Sequence, residues 1–325
     1  MSLAGRSRAT LIDFVCRVVT GEPIRSAELP ELREMLQLFG FRKTAHHFLL
    51  RRMTPAAFQD GGATMLVAAL DGLFTIALSL TDLGVGWDIL RKGTYEPHLV
   101  AFYRHHLRPG MTVADVGANI GFHALHAAAC VGVGGSVIAI EPDPGNVALL
   151  RRSLSLAGDV FPVEVVQGAL SDCDGELVLS DLGNAGNSGA RFTHPDRKHL
   201  EAYVHGSNPR FETVPAFRWD TRFGDRRIDF VKIDIEGFEP RAIAGMEESL
   251  TRFRPLVVSE LAPGNLSDIG GVEPMEYLEW FRDRGYRCSL ISEPDGNLAD
   301  CALEEIIERA HRQHHVDVAF QFEGS

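Results

Sequence analysis

The chain has 325 residues, 45% hydrophobic and 23% charged, the composition of an ordinary globular protein able to bury one large core and an appendage. Its formal net charge of −12 argues against a nucleic-acid partner, because tight phosphate-backbone binding needs Lys and Arg in excess. Cys16, Cys130, Cys173, Cys288 and Cys301 form no Cys-x-x-Cys pair, which excludes a zinc or disulfide framework and fits reduced thiols in a cytoplasmic protein.

Residues 1–60 are predicted to form a helical appendage. Within 30–52, Leu32, Met35, Leu36 and Phe39 recur at helical spacing. That stripe must be covered, either by capping the acceptor side of the chain or in a homo-oligomer contact. No apolar stretch of signal-peptide form follows Arg6 and Arg8. The segment 63–80 is apolar enough to be weighed as a membrane span. Asp71 falls near its middle, where an ionised carboxylate would cost at least about 2–3 kcal/mol. Asp71-Gly72 is a hairpin signal, and Phe74, Ile76, Leu78 and Leu80 alternate with smaller or polar residues. A hairpin is therefore predicted, and no membrane association. Residues 61–110 read as this hairpin and an entry segment, ending in a helix over 97–107 and the stop Arg108-Pro109-Gly110.

From residue 111 to 325, strand and helix patterns alternate, as in a mostly parallel sheet covered on both faces. Strands are predicted at 112–116, 137–140, 163–166, 228–233, 256–259, 288–291 and 316–322. Helices are predicted at 120–131, 143–157, 240–250, 274–284 and 302–311. Residues 175–179 read as a strand leaving the sheet, and 181–215 as a long loop with little periodicity. The fold class is thus α/β, a doubly wound Rossmann-like sheet with a helical N-terminal appendage.

The turn after the first strand, Asp115-Val116-Gly117-Ala118-Asn119-Ile120-Gly121-Phe122, sits where an open α/β sheet binds its ligand. Gly117 and Gly121 let the backbone bend and approach a ligand closely. The turn is not the Gly-x-Gly-x-x-Gly of dinucleotide enzymes, which disfavours a nicotinamide-dependent oxidoreductase. Asp115 occupies its first ligand-facing position, where a carboxylate repels pyrophosphate and favours a cationic ligand. Glu141 closes the next strand, 20 residues beyond Gly121, where a carboxylate can accept both ribose hydroxyls. Together these acids suit a cationic, adenosine-bearing cofactor.

A second motif, Lys232-Ile233-Asp234-Ile235-Glu236-Gly237, is read as strand continuing to residue 236, with Lys232, Asp234 and Glu236 on one face. Charges in a central strand are unfavourable unless they pair or serve a site. With Tyr95-Glu96-Pro97, Ala169-Leu170-Ser171-Asp172 and Glu239, the two motifs make residues 64–262 resemble the FkbM family of S-adenosylmethionine-dependent methyltransferases. That resemblance implies a seven-stranded sheet with its last strand antiparallel, and methyl transfer to a hydroxyl of a sugar or secondary metabolite. It also implies that Asp115, Gly117, Asn119 and Gly121 hold the methionine end of S-adenosylmethionine, Glu141 its ribose, and Ala169 and Leu170 its adenine. Glu96, Ala118, Phe122 and Pro142 complete the expected cofactor site. Asp234 is the first candidate for the base or acceptor-orienting group, with Glu236, Lys232, His123 and Glu260 behind it. Asp234, Glu236 and Glu260 could also hold Mg²⁺, but their spacing is no ligand signature and no metal is expected. Where the family often has Leu-Asp this chain has Trp219-Asp220, a departure that bears on the acceptor pocket. A non-catalytic scaffold acting through the N-terminal helices is the competing class.

Overall fold

The computed structural model describes residues 58–60, 63–70, 74–79, 82, 84–157, 160–181, 189, 191–204 and 209–324. Three antiparallel strands come first: β1 (Phe58–Asp60), β2 (Ala63–Leu70) and β3 (Phe74–Ser79). Leu70 pairs with Phe74 across the expected hairpin, whose Asp71-Gly72 turn lies outside the described residues. β1 falls in the last residues of the segment predicted to be helical; the rest of it, 1–57, lies outside the described residues. Helices α1 (Val85–Lys92) and α2 (Pro97–His106) lead into the main sheet.

That sheet begins with β4 (Thr112–Val116), α3 (Phe122–Val131), β5 (Ser136–Glu141), α4 (Pro144–Leu156) and β6 (Val163–Gln167). An inserted region follows: β7 (Ala169–Leu170), β8 (Gly175–Asp181), β9 (Arg191–His194), α5 (Arg197–Tyr203), β10 (Arg210–Phe217) and α6 (Trp219–Phe223). The main sheet resumes with β11 (Phe230–Ile233), α7 (Glu239–Gly245), α8 (Glu247–Phe253) and β12 (Leu256–Leu261). A short helix α9 (Pro263–Asn265) runs on as a π-helical turn, Leu266–Gly270. α10 (Pro274–Arg282), β13 (Tyr286–Ile291), β14 (Leu298–Asp300), α11 (Leu303–Gln313) and β15 (Val316–Phe322) complete the chain.

The strand order is β14-β13-β15-β12-β11-β4-β5-β6. β4, β5, β6, β11 and β12 are parallel, and β15 inserts antiparallel between β12 and β13. This is the doubly wound sheet expected, with one correction: the short strand β14 pairs with β13 and adds an eighth strand at the edge.

Period-2 alternation sorts the side chains between two cores. Val113 of β4 faces one, with Leu99, Phe102, Leu125 and Leu150 from α2, α3 and α4. Ala114 and Val116 face the other, with Trp219, Ile243, Leu250 and Phe281 from α6, α7, α8 and α10. The hairpin docks on α4, where Ser153 Oγ accepts from Ala77 N at 2.9 Å.

Two expectations need correction. The stretch 181–215 is not a plain loop: β10, β8 and β9 form with β7 a separate four-stranded sheet over its own core of Leu177, Leu179, Phe192, Leu200 and Val214. Residues 182–188 and 205–208 lie outside the described residues. The predicted helix 240–250 is two helices that meet at Met246.

Candidate active site

The turn between β4 and α3 is forced by its glycines. Gly117 (φ 80°) and Gly121 (φ 90°) adopt left-handed backbone, and Asn119 between them does so with a side chain (φ 49°). A Cβ on Gly117 would lie 1.9 Å from the Asp234 carbonyl oxygen, and one on Gly121 2.2 Å from Leu150 Cδ1. Gly117 N and Ala118 N both donate to the Ile140 carbonyl at 3.0 Å, which draws the turn against the end of β5.

Glu141 fastens the turn from the other side. Its Oε2 accepts from Asn119 N (2.8 Å), and its Oε1 from Asp143 N (2.9 Å) and Asn146 Nδ2 (3.4 Å). A carboxylate has about four acceptor positions, so one remains. Burial pushes its carboxyl up to about 7, against the lowering effect of these hydrogen bonds.

β11 ends at Ile233, three residues earlier than expected. Glu236 takes left-handed backbone (φ 56°), and Gly237 (φ 98°) follows where a Cβ would meet the Asn265 carbonyl oxygen at 2.3 Å. Asp234 and Glu236 therefore stand on a turn at the mouth of the sheet rather than on a strand. Glu239 braces that turn, its Oε1 accepting from Ile235 N (3.0 Å) and Gly237 N (3.2 Å).

Lys232 is in the strand, paired in register with Asp115 of β4. Its buried Nζ donates to Asp234 Oδ2 (3.0 Å) and lies 3.8 Å from Asp115 Oδ1. Burial opposes its charge, but Asp234 and Asp115 outweigh that and raise its pKa well above the usual lysine range. Asp115 shares the face of Val113, beneath the turn, with its side chain only 2% exposed. Burial pushes its carboxyl up, against the lowering effect of the Lys232 charge.

The remaining acids gather nearby. Glu236 Oε2 accepts from Asn265 Nδ2 at 2.9 Å; burial and then the Asp234 charge push its carboxyl up to about 8. Glu260, near the end of β12, is raised well above the carboxylate range by burial and then by Asp234 and Glu236. Glu96 holds left-handed backbone (φ 42°) at the start of α2, and its Oε2 is 2.8 Å from His123 Nε2. Burial would raise this carboxyl, but the His123 hydrogen bond together with the His123, Lys232 and His98 charges outweighs it and lowers it to about 2. Three of the non-glycine residues held at positive φ, Glu96, Asn119 and Glu236, thus border one site, a concentration typical of functional sites.

These groups surround one cleft that opens to solvent. Glu96, Gly117, Ala118, Asn119, Phe122 and His123 line it. So do Glu141, Pro142, Ala169 and Leu170, and on the far side Lys232, Asp234, Glu236 and Glu260. Two expected residues do not. Asp115 lies behind the wall because its strand register turns it into the core, so it reaches the cleft through Lys232; Gly121 packs on Leu150. Trp219 and Asp220 are no part of the cleft: Trp219 is fully buried in the second core, and Asp220 accepts from Glu248 N and Ser249 N at the start of α8. Among the described residues no three metal-binding side chains converge, and no helix is long and apolar enough to cross a membrane. Sequence reasoning missed Arg191 and Thr193, which enter the cleft from β9, and Val85 from α1. Only the alternation around Phe192 signalled β9, and four residues are too few to stand out.

A family model described as the methyltransferase FkbM domain matches residues 115–288, more than half of the chain. Ribosomal RNA large subunit methyltransferase E of Desulforapulum autotrophicum is 30% identical over 79 residues, 24% of this chain and 39% of that protein. A crystal structure of Methyltransferase FkbM from Methylobacillus flagellatus KT shares 14% identity at a TM-score of 0.41, covering 72% of this chain and 60% of that one. A putative O-methyltransferase from Klebsiella pneumoniae shares 12% at a TM-score of 0.39, covering 70% and 80%. The chain thus spans well under half of the length of the first of these relatives and three-fifths of the second. On the family match, which takes in the glycine turn and the Lys232–Glu239 motif together, the chain belongs to the FkbM methyltransferase domain family, whose cofactor is S-adenosylmethionine.

Proposed function

We propose that the protein transfers a methyl group from S-adenosylmethionine to a hydroxyl of a small acceptor, a sugar or a secondary metabolite. One observation carries the reading: a single cleft joins the glycine turn and Glu141, which suit an adenosine-bearing ligand, to the charged turn at the end of β11. The cleft fits the cofactor in its polar groups. Glu141 retains one acceptor position for a ribose hydroxyl, Asn119 Oδ1 is buried without a partner, and the acidic turn at Asp234 complements positive charge. The turn at 117–121 would hold the amino-acid end, and Ala169 and Leu170 would border the adenine.

The bound cofactor supplies an electrophilic methyl on a cationic sulfur, so the protein mainly has to align the acceptor and handle one proton. Asp234, with its side chain 30% exposed, is the group placed to do so. Lys232 fixes the orientation of its carboxylate through the 3.0 Å hydrogen bond. When the acceptor oxygen takes the methyl carbon and the carbon–sulfur bond breaks to leave S-adenosylhomocysteine, the hydroxyl proton would pass to Asp234 and then to solvent. Lys232 in turn stays charged between Asp234 and Asp115, which gives Asp115 a supporting role beneath the turn. His123 is tied to Glu96 and serves to hold that side of the cleft.

The test is a panel of hydroxylated, amine and RNA acceptors incubated with methyl-labelled S-adenosylmethionine, with product identified by NMR. The reading expects a methyl ether on a small hydroxylated molecule. A methylated amine, carbon or RNA as the preferred product overturns it.

A further inference from the structure

The inserted sheet does more than flank the cleft. Along β9, Arg191 and Thr193 line it, while Phe192 between them is buried in the inserted sheet's own core. Arg191 Nη2 lies 3.3 Å from Asp143 Oδ2. Asp143 is itself fixed: its Oδ1 accepts from Asn146 N at 2.8 Å, and its own N–H donates to Glu141 Oε1 at 2.9 Å. A continuous run of polar contacts therefore links Arg191 through Asp143 and Glu141 to Asn119.

The position across the sheet gives this arginine a meaning. Glu141 ends β5, and Gly168, Ala169 and Leu170 follow β6, at one side of the cleft; Asp234 and Glu260 stand two and three strands away at the other. A guanidinium beside the acids would repel a sulfonium, but at the nucleoside side it meets a flat, uncharged and electron-rich ring. Arginine stacks on such a face and stays charged while doing so, which lysine does less well. The Asp143 carboxylate holds the group partly buried, with the side chain 23% exposed.

We propose that Arg191, held by Asp143, closes over the adenosine half of the cofactor, so that the inserted sheet acts as a clamp on the nucleoside. This rests on the cofactor reading above. The experiment is calorimetric titration of the parent protein, Arg191→Ala and Arg191→Lys with S-adenosylhomocysteine and with 5′-methylthioadenosine, which keeps the nucleoside but lacks the amino acid. Each variant's unliganded melting temperature is measured alongside. The clamp expects Arg191→Ala to weaken both ligands by a similar factor, about tenfold. Arg191→Lys, which keeps a charge facing Asp143 but no planar face, should also weaken both, and carries the test if Arg191→Ala does not fold. Unchanged affinity for both ligands in folded variants overturns the clamp. So does weakening of S-adenosylhomocysteine alone, which would place the guanidinium at the amino-acid end. A parent protein that binds neither ligand is a different result, and overturns the cofactor reading itself.

Discussion

Glu141 carries two duties at once, bracing the turn through Asn119 N and facing the ligand, and its raised pKa makes the second dependent on pH. Ribose hydroxyls are better donors to a carboxylate than to a carboxylic acid. Affinity for S-adenosylhomocysteine should therefore rise by about tenfold from pH 6 to pH 8 as a group near 7 ionises. Glu141→Gln should flatten that dependence, and a slope that persists in the variant removes Glu141 as its source. Glu236 offers a stability test of opposite character. Its carboxyl is raised to about 8, so the folded chain holds this proton more tightly than the unfolded chain does. By linkage its contribution is complete below the ordinary carboxylate range and is lost as pH climbs toward and through about 8. Melting curves of the parent should thus lose ground to Glu236→Gln between pH 5.5 and 8.5; parallel curves contradict this. Asp234→Asn should lower turnover by roughly 10²–10⁴-fold while leaving cofactor affinity nearly intact, because a base acts in the transition state. Parental turnover in a folded variant would move the role to another group. Lys232, Asp234 and Glu236 stood out in the sequence because charges at period-2 spacing in an apolar run are unfavourable unless they pair or serve a site, although only Lys232 lies in the strand. The burial of Asp115 was not legible, since it follows from which face of β4 the residue occupies and from its pairing with Lys232.

Elements, rather than single groups, set where the cleft opens. The turn after β4 and the turn after β11 press on one another, since Gly117 lies under the Asp234 carbonyl. Gly117→Ala combines a backbone strain of about 1–3 kcal/mol with a collision that only backbone movement can relieve. Urea unfolding should show a loss of at least that size, together with weakened cofactor binding; near-parental stability would mean the turn is softer than this geometry implies. Asp220 separates element stability from chemistry, because it binds two backbone N–H groups at the start of α8 and lies outside the cleft. Asp220→Ala should cost about 0.5–2 kcal/mol and spare turnover per folded molecule. The apolar strands of the main sheet and their helices were readable from periodicity, as β4 and β15 illustrate. The inserted sheet was not. β9 has four residues, and β10 runs Arg210–Phe217 with only Val214, Ala216 and Phe217 buried, so neither has a pattern that rises above its polar surroundings. The end of β11 was misplaced for a related reason: Ile235 continues the apolar pattern while the left-handed backbone at Glu236 breaks the strand.

At the scale of the whole fold, the described residues form a doubly wound sheet whose carboxyl-end crevice is walled by the inserted sheet and by α1 and the segment leading to α2. Its alternation of strands and helices was largely foreseeable from periodicity; the strand order, the edge strand β14 and the independent inserted sheet depend on long-range pairing that local sequence does not encode. The apolar stripe at Leu32, Met35, Leu36 and Phe39 remains a separate expectation. Removing residues 1–57, ahead of β1, should preserve cofactor binding while altering activity or oligomeric state, and a truncated chain that assembles and turns over like the parent contradicts it. The central claim is that the cleft between the glycine turn, Glu141 and the Asp234 turn receives S-adenosylmethionine. Isothermal titration of the purified protein with S-adenosylhomocysteine, beside NADH, tests it most directly. The account predicts one site per chain in the micromolar range for S-adenosylhomocysteine, weakened at least tenfold by Glu141→Ala, with no comparable binding of NADH. Tight NADH binding with none of S-adenosylhomocysteine would contradict it.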